Sequence, residues 1–198
     1  MKVLIDNGHG EDTPGKRSPD GKFREYRFAR NLADSLMTAL NAKGIDSRLI
    51  VPEENDVSLK ERCTRINKLC DEYGANNCIL VSIHVNAAGN GTNWCKASGW
   101  QVHTTIGETK SDQLAECLYD AAEKHLKGKK IRVDNSDGDR DWENDFYILK
   151  HSKCPAVLVE NFFQDCKEDV EYLESEEGFK SILLTHLDGI MKYIECKK

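Results

Sequence analysis

Short apolar runs alternate along this chain with longer stretches in which apolar residues recur every third or fourth position. Residues 2–6, "SRLIV" (47–51), "CILVSIHV" (78–85) and "AVLVENF" (156–162) read as strands. "GWQVHTTI" (99–106) alternates and predicts a half-exposed strand. Helical spacing covers 25–43, stopped by Gly44, and 58–74, where Ser58 followed by Glu61 makes a capping box. It returns over 111–127, with Leu114, Leu118, Ala121 and Leu126 inward, and over 179–195, with Phe179, Ile182, Leu183, Leu187, Ile190 and Ile194 inward. Segments 86–98 and 127–145 read as loops. Continuous apolar strands between amphipathic helices predict a single α/β domain, residues 1–198, with a twisted, mostly parallel (mixed) sheet flanked by helices on both faces.

Composition narrows this picture. The 198 residues suit one full core, and a net charge of −6 argues against a nucleic-acid partner. No apolar run approaches the ~18 residues of a membrane span. The eight cysteines, at 63, 70, 78, 95, 117, 154, 166 and 196, contain no C-x-x-C pair, which argues against a zinc ribbon. Their places on apolar stripes and strands predict mostly free thiols, the alternative being disulfides among Cys95, Cys154, Cys166 and Cys196. The first residues lack the features of a signal peptide, so cytoplasmic synthesis is expected.

Three buried strands end in a polar residue: "VLIDNGHG" brings His9, "ILVSIHVNA" brings His84, and "AVLVENFF" brings Glu160. Ligands of open α/β sheets bind at the carboxyl ends of strands. A fourth group joins them, because the apolar stripe Ala29, Leu32, Ala33, Leu36 and Leu40, counted back one turn, begins at Glu25. A carboxylate on a buried stripe is costly unless paired or bound to a metal. Two histidines and a carboxylate are a ligand set of catalytic zinc, and a further carboxylate can act as base. His9, Glu25 and His84 are therefore the candidate ligands and Glu160 the candidate base. Asp6 is a candidate second support for a ligand ring, and Asn86 a candidate substrate contact. The flanking glycines of His9 are expected to let the backbone pass close to the metal.

These residues carry a resemblance. "IDNGHG" is similar to the D-x-GHGG opening of zinc-dependent N-acetylmuramoyl-L-alanine amidases of the amidase-3 type. "EYRFARNLADSL" resembles that family's segment beginning with its metal-binding glutamate, and "VSLKERCTRIN" its vSL-x-x-R-x-x-x-AN helix. "SIHVNA" is similar to its SIHaNA, and "CPAVLVENFFQD" to its PavLvE-x-GF-x-x-N. The order holds from residue 2 to about 194. The resemblance implies a mixed sheet, one Zn²⁺ held by His9, Glu25 and His84, catalysis by Glu160, and cleavage of the amide between N-acetylmuramic acid and L-alanine in peptidoglycan. Glu11, Phe162 and Asp165 depart from the family pattern, which has Gly, Gly and often Asn there.

The expected protein is thus a monomeric peptidoglycan hydrolase without a membrane span, made in the cytoplasm and released to the wall as an endolysin, or secreted with its signal removed. Alternatives are a zinc amidohydrolase or peptidase on another acyl-amino acid or peptide, and a non-catalytic wall-binding domain. Among the remaining histidines, His103 is expected on a strand surface, His125 near a helix end, His186 in the core and His151 in an exposed loop. "DNSDGDRDWEND" (134–145) fails the spacing of a calcium loop and reads as a solvated loop. Within and beside it, Arg140 and Trp142, with Phe146, are candidate substrate contacts forming a lip.

Overall fold

The computed structural model describes residues 1–197. Strands β1 (Lys2–Asn7), β2 (Ser47–Leu49), β3 (Cys78–Asn86), β4 (Gln101–Thr104), β5 (Trp142–Glu143) and β6 (Ala156–Phe163) form one sheet in the order β2-β1-β3-β6-β4-β5. The four strands from β2 to β6 run parallel, whereas β4 is antiparallel to β6. The mixed sheet expected from the pattern is therefore present, with its one reversed pairing at β4.

Strand alternation sorts side chains to two faces. Val3, Ile5, Ile79, Val81, Ile83, Val102, Val157 and Val159 pack on one, against α1 (Glu25–Ala42), α3 (Lys110–His125), α5 (Lys167–Glu174) and α6 (Glu176–Cys196). Leu4, Leu80, Ala156 and Leu158 pack on the other, against α2 (Leu59–Tyr73) and the short α4 (Tyr147–Lys150). Ser58 caps α2 by accepting from the Glu61 amide at 3.3 Å. The reciprocal half of the expected box is missing because the Glu61 carboxylate is engaged by Arg65. All eight cysteines are free thiols.

Two expectations need correction. β4 is wholly buried, not half-exposed. Its polar residues Gln101 and His103 turn inward onto the α2 side of the sheet, so His103 is not a surface residue. The 134–145 segment also contributes β5, and its Asp141 is buried.

Beyond Glu160 the β3–β6 register slips: His84 faces Glu160, but Asn86 faces Phe163. The extra residue marks a bulge, and Phe162 within it is left-handed, with φ of 65°. Glycine adopts that backbone freely, which explains why the resembled motif has one there. Here the ring compensates, 1% exposed and edge-on to Tyr172 at 5.3 Å. Phe162→Gly is expected to relieve about 1–2 kcal/mol of backbone strain. It forfeits about 3–5 kcal/mol of ring burial, a net loss near 2 kcal/mol. A lower urea midpoint would register it; an unchanged or higher midpoint would contradict this balance.

Candidate active site

Alternation along β6 puts Asn161 on the α6 side with Val157 and Val159. There it donates to the His84 carbonyl (3.1 Å) and accepts from Trp100 Nε1 (3.2 Å), with His186 Nε2 3.1 Å away. His186 is fully buried, as a core histidine. His84 itself points to the opposite, α2, side, where Glu160 stands directly across from it on β6.

His9 follows β1 on a left-handed backbone, φ 61°. Its carbonyl accepts from Arg30 (3.0 Å) and from Arg62 (3.4 Å), which hold that conformation. The flanking glycines make room for neighbouring groups. A Cβ on Gly8 would lie 2.5 Å from the His84 ring, and one on Gly10 would lie 2.0 Å from the Asp56 amide. Gly8 therefore lets the two histidines meet, edge-on with ring centroids 5.0 Å apart.

Glu25 enters from the first turn of α1 and is 1% exposed. Its Oε1 lies 3.1 Å from His84 Nδ1 and 3.5 Å from His9 Nε2, and accepts from the Val85 amide at 3.0 Å. Its Oε2 accepts from Gln164 at 3.3 Å. Burial opposes the Glu25 charge, but the His84 hydrogen bond and both histidines overcome this and leave its pKa lowered. Burial lowers His9 to about 4, Glu25 opposing and His84 adding to the drop, so its imidazole is neutral near pH 7. Ligand atoms of His9, Glu25 and His84 all lie within 4.8 Å of one another. Two imidazoles and a carboxylate converging so closely can hold a divalent cation, and a neutral imidazole is the form that ligates.

Glu160 has no such partners. Its Oε2 is buried and makes no hydrogen bond. Burial pushes its pKa up to about 7, with His84 opposing the rise and the Glu25 charge adding to it. A carboxyl poised there can exchange protons at neutral pH.

The other candidates are distributed unevenly. Asp6 hydrogen-bonds neither imidazole. Its Oδ1 accepts from Arg62 at 2.8 Å and its Oδ2 from Ser82 at 2.6 Å, so it supports His9 only through Arg62. Asn86 closes onto its own loop, its Oδ1 accepting from the Ala87 amide at 2.8 Å. Trp142 lies on β5 opposite His103, on the Glu160 side of the sheet. Arg140 does not join it. Its guanidinium is taken by Glu116, Asp120 and Glu123 of α3, on the opposite side, so the expected lip of Arg140 with Trp142 does not form.

Two residues without an assigned role in the sequence analysis matter here. Arg62 lies on the buried stripe of α2 with Cys63 and Ile66, the same signal that marked Glu25. Asp165 accepts from the amides of Ala88 (2.9 Å) and Gly89 (2.7 Å) and ties the 86–98 loop to the end of β6.

The chain matches the family model for N-acetylmuramoyl-L-alanine amidase over residues 3–192. It is 26% identical to a sporulation-specific N-acetylmuramoyl-L-alanine amidase of Bacillus subtilis (strain 168), covering 100% of this chain and 70% of that protein. It is 24% identical to an endolysin of Bacillus phage SPP1, covering 99% and 67% respectively. The crystal structure of an N-acetylmuramoyl-L-alanine amidase from Clostridium difficile 630 superposes with a TM-score of 0.86 at 26% identity, over 100% of this chain and 98% of that one.

Proposed function

The chain belongs to the N-acetylmuramoyl-L-alanine amidase family, and from that premise we propose that residues 1–198 are a zinc-dependent catalytic domain. It hydrolyses the amide between N-acetylmuramic acid and L-alanine in peptidoglycan. The observation that carries this reading is the convergence of His9, Glu25 and His84 beside Glu160, whose Oε2 is buried without a partner. His9, Glu25 and His84 would hold the ion. When bound, zinc supplies Lewis acidity that polarises the scissile carbonyl and acidifies water.

The protein groups do the rest. Glu160 takes the proton of the attacking water and delivers it to the departing L-alanine nitrogen. Glu25 keeps its charge through His84 and His9, the Val85 amide and the Gln164 side chain fix its carboxylate, and Arg30 and Arg62 hold the His9 backbone. The site of action is the cell wall. No helix among the described residues is long and apolar enough to cross a membrane.

The test is mass spectrometry of muropeptide digests with metal-stripped and zinc-reconstituted protein. Peptides beginning at L-alanine should appear only with zinc. Intact muropeptides in the presence of bound zinc would overturn the assignment.

A further inference from the structure

A row of register partners runs from the metal-binding group toward the sheet edge. His84 faces Glu160, Glu160 faces Gln101, and two residues along β4 His103 faces Trp142. All five lie on the α2 side of the sheet. Three of them leave a buried polar atom without a partner: Glu160 Oε2, Gln101 Oε1 and Trp142 Nε1. Buried polar atoms are nearly always paired, so three in a row describe a strip built for a polar occupant.

Gln101 is 3% exposed, and its Nε2 lies 2.7 Å from His103 Nε2. His103 Nδ1 in turn lies 2.9 Å from the Asn144 amide. A neutral imidazole accepts at one nitrogen only, so one of the two flanking amides turns its oxygen to the ring; Gln101 is fixed from behind with one amide atom left unpaired.

Arg132 stands at the far end. Its backbone amide donates to the Trp100 carbonyl at 2.8 Å, next to Gln101. Its guanidinium lies between two rings, 5.3 Å from the Trp142 centroid and 5.1 Å from that of Phe163. Like Arg17, Arg24, Arg27 and Arg30, and unlike Arg62, Arg65 and Arg140, it pairs with no carboxylate among the described residues. A half-buried guanidinium held flat by aromatic walls keeps its donors for a carboxylate.

We infer that this strip is the subsite for the peptide on the leaving side of the scissile amide. Gln101 hydrogen-bonds the peptide backbone, and Arg132, braced by Trp142 and Phe163, binds a free carboxylate on the second residue. The spacing agrees. Neighbouring strands lie about 4.8 Å apart and alternate strand residues about 6.8 Å apart, so the guanidinium stands of order 10 Å from Glu160. Two residues of extended peptide cover about 7 Å, and the arm that carries the second residue's carboxylate spans the remainder.

The inference rests on the amidase reading, and its test separates the two. Muramyl-L-alanyl peptides with a carboxylate on the second residue are compared with the same peptides carrying a carboxamide there. The zinc-loaded protein should prefer the carboxylate by about tenfold or more in kcat/KM, the size of one charge-assisted hydrogen bond. Arg132→Gln should bring that ratio near one, chiefly through KM, and Arg132→Lys should recover part of it. Calorimetric binding of the released carboxylate peptide should weaken in parallel. A ratio near one in the parent, or one that persists in Arg132→Gln, overturns the inference. Peptide binding that depends on Arg132 without turnover of either substrate supports the subsite and rejects hydrolysis.

Discussion

Glu160→Gln is expected to reduce turnover of muramyl peptides by about 10²–10⁴-fold, the usual contribution of a general acid–base, while bound zinc stays at parental stoichiometry. The substitution keeps the side-chain volume and removes only the capacity to take and return a proton. Metal analysis beside single-turnover kinetics would check it, and activity within tenfold of the parent would remove Glu160 from the mechanism. Stability should move the other way. The fold raises the Glu160 pKa from 4.5 to about 7, so the folded state binds more protons than the unfolded state between those values. Stability from this group therefore falls as pH rises through that window and stays low above it. Glutamine has no such penalty. In metal-free protein, the thermal midpoint of the variant should gain on the parent as pH climbs from about 5 to 7 and then hold its lead. A carboxylate whose loss costs activity and relieves the fold behaves as a site residue, not as structural packing.

The same logic explains what could be read from the sequence. β1, β3 and β6 were legible because buried parallel strands are continuously apolar, and His9, His84 and Glu160 stood out where that apolarity stops. Glu25 was legible as a charge on an apolar helical stripe. Arg62 carries that same signal between Leu59 and Ile66 and was readable in principle. β4 misled because alternation equates polar with solvent, whereas Gln101 and His103 face a buried strip. β5 and α4 span two and four residues, too few to show a period. Arg132 sits in irregular chain, and only the pairing of β4 with β5 and β6 brings rings from two distant segments around it. Arg140 was the more conspicuous arginine, beside Trp142 in sequence, yet three acidic residues on one face of α3 capture it.

Arg62→Met is expected to cost about 3–5 kcal/mol of folding stability, the range for breaking a buried ion pair from one side. Arg62 is 2% exposed and Asp6 1% exposed, and without the guanidinium Asp6 keeps only the Ser82 hydroxyl. The loss spreads further, because Arg62 also donates to the Asn7 carbonyl (2.7 Å), the Val57 carbonyl (2.7 Å) and Asp56 Oδ1 (2.9 Å). Urea denaturation would measure it, and a change under about 1 kcal/mol would show that water reaches Asp6 and solvates it. The double variant Asp6→Leu, Arg62→Met divides the role in two. Replacing both members of a buried pair with apolar groups is often near neutral, so the part of the loss that comes from stranding Asp6 should return, while the part from the Asn7 and Val57 carbonyls should not. Metal affinity should not return either, because the His9 carbonyl remains without the Arg62 contact and only Arg30 holds its left-handed backbone. A chelator titration should show about 10–100-fold weaker zinc binding in both variants, the usual cost of losing a group that orients a ligand. Recovery of affinity together with stability would mean that Arg62 only neutralises Asp6. Recovery of stability alone would make it a positioning residue for His9, which ties α2 directly to the His9, Glu25 and His84 group.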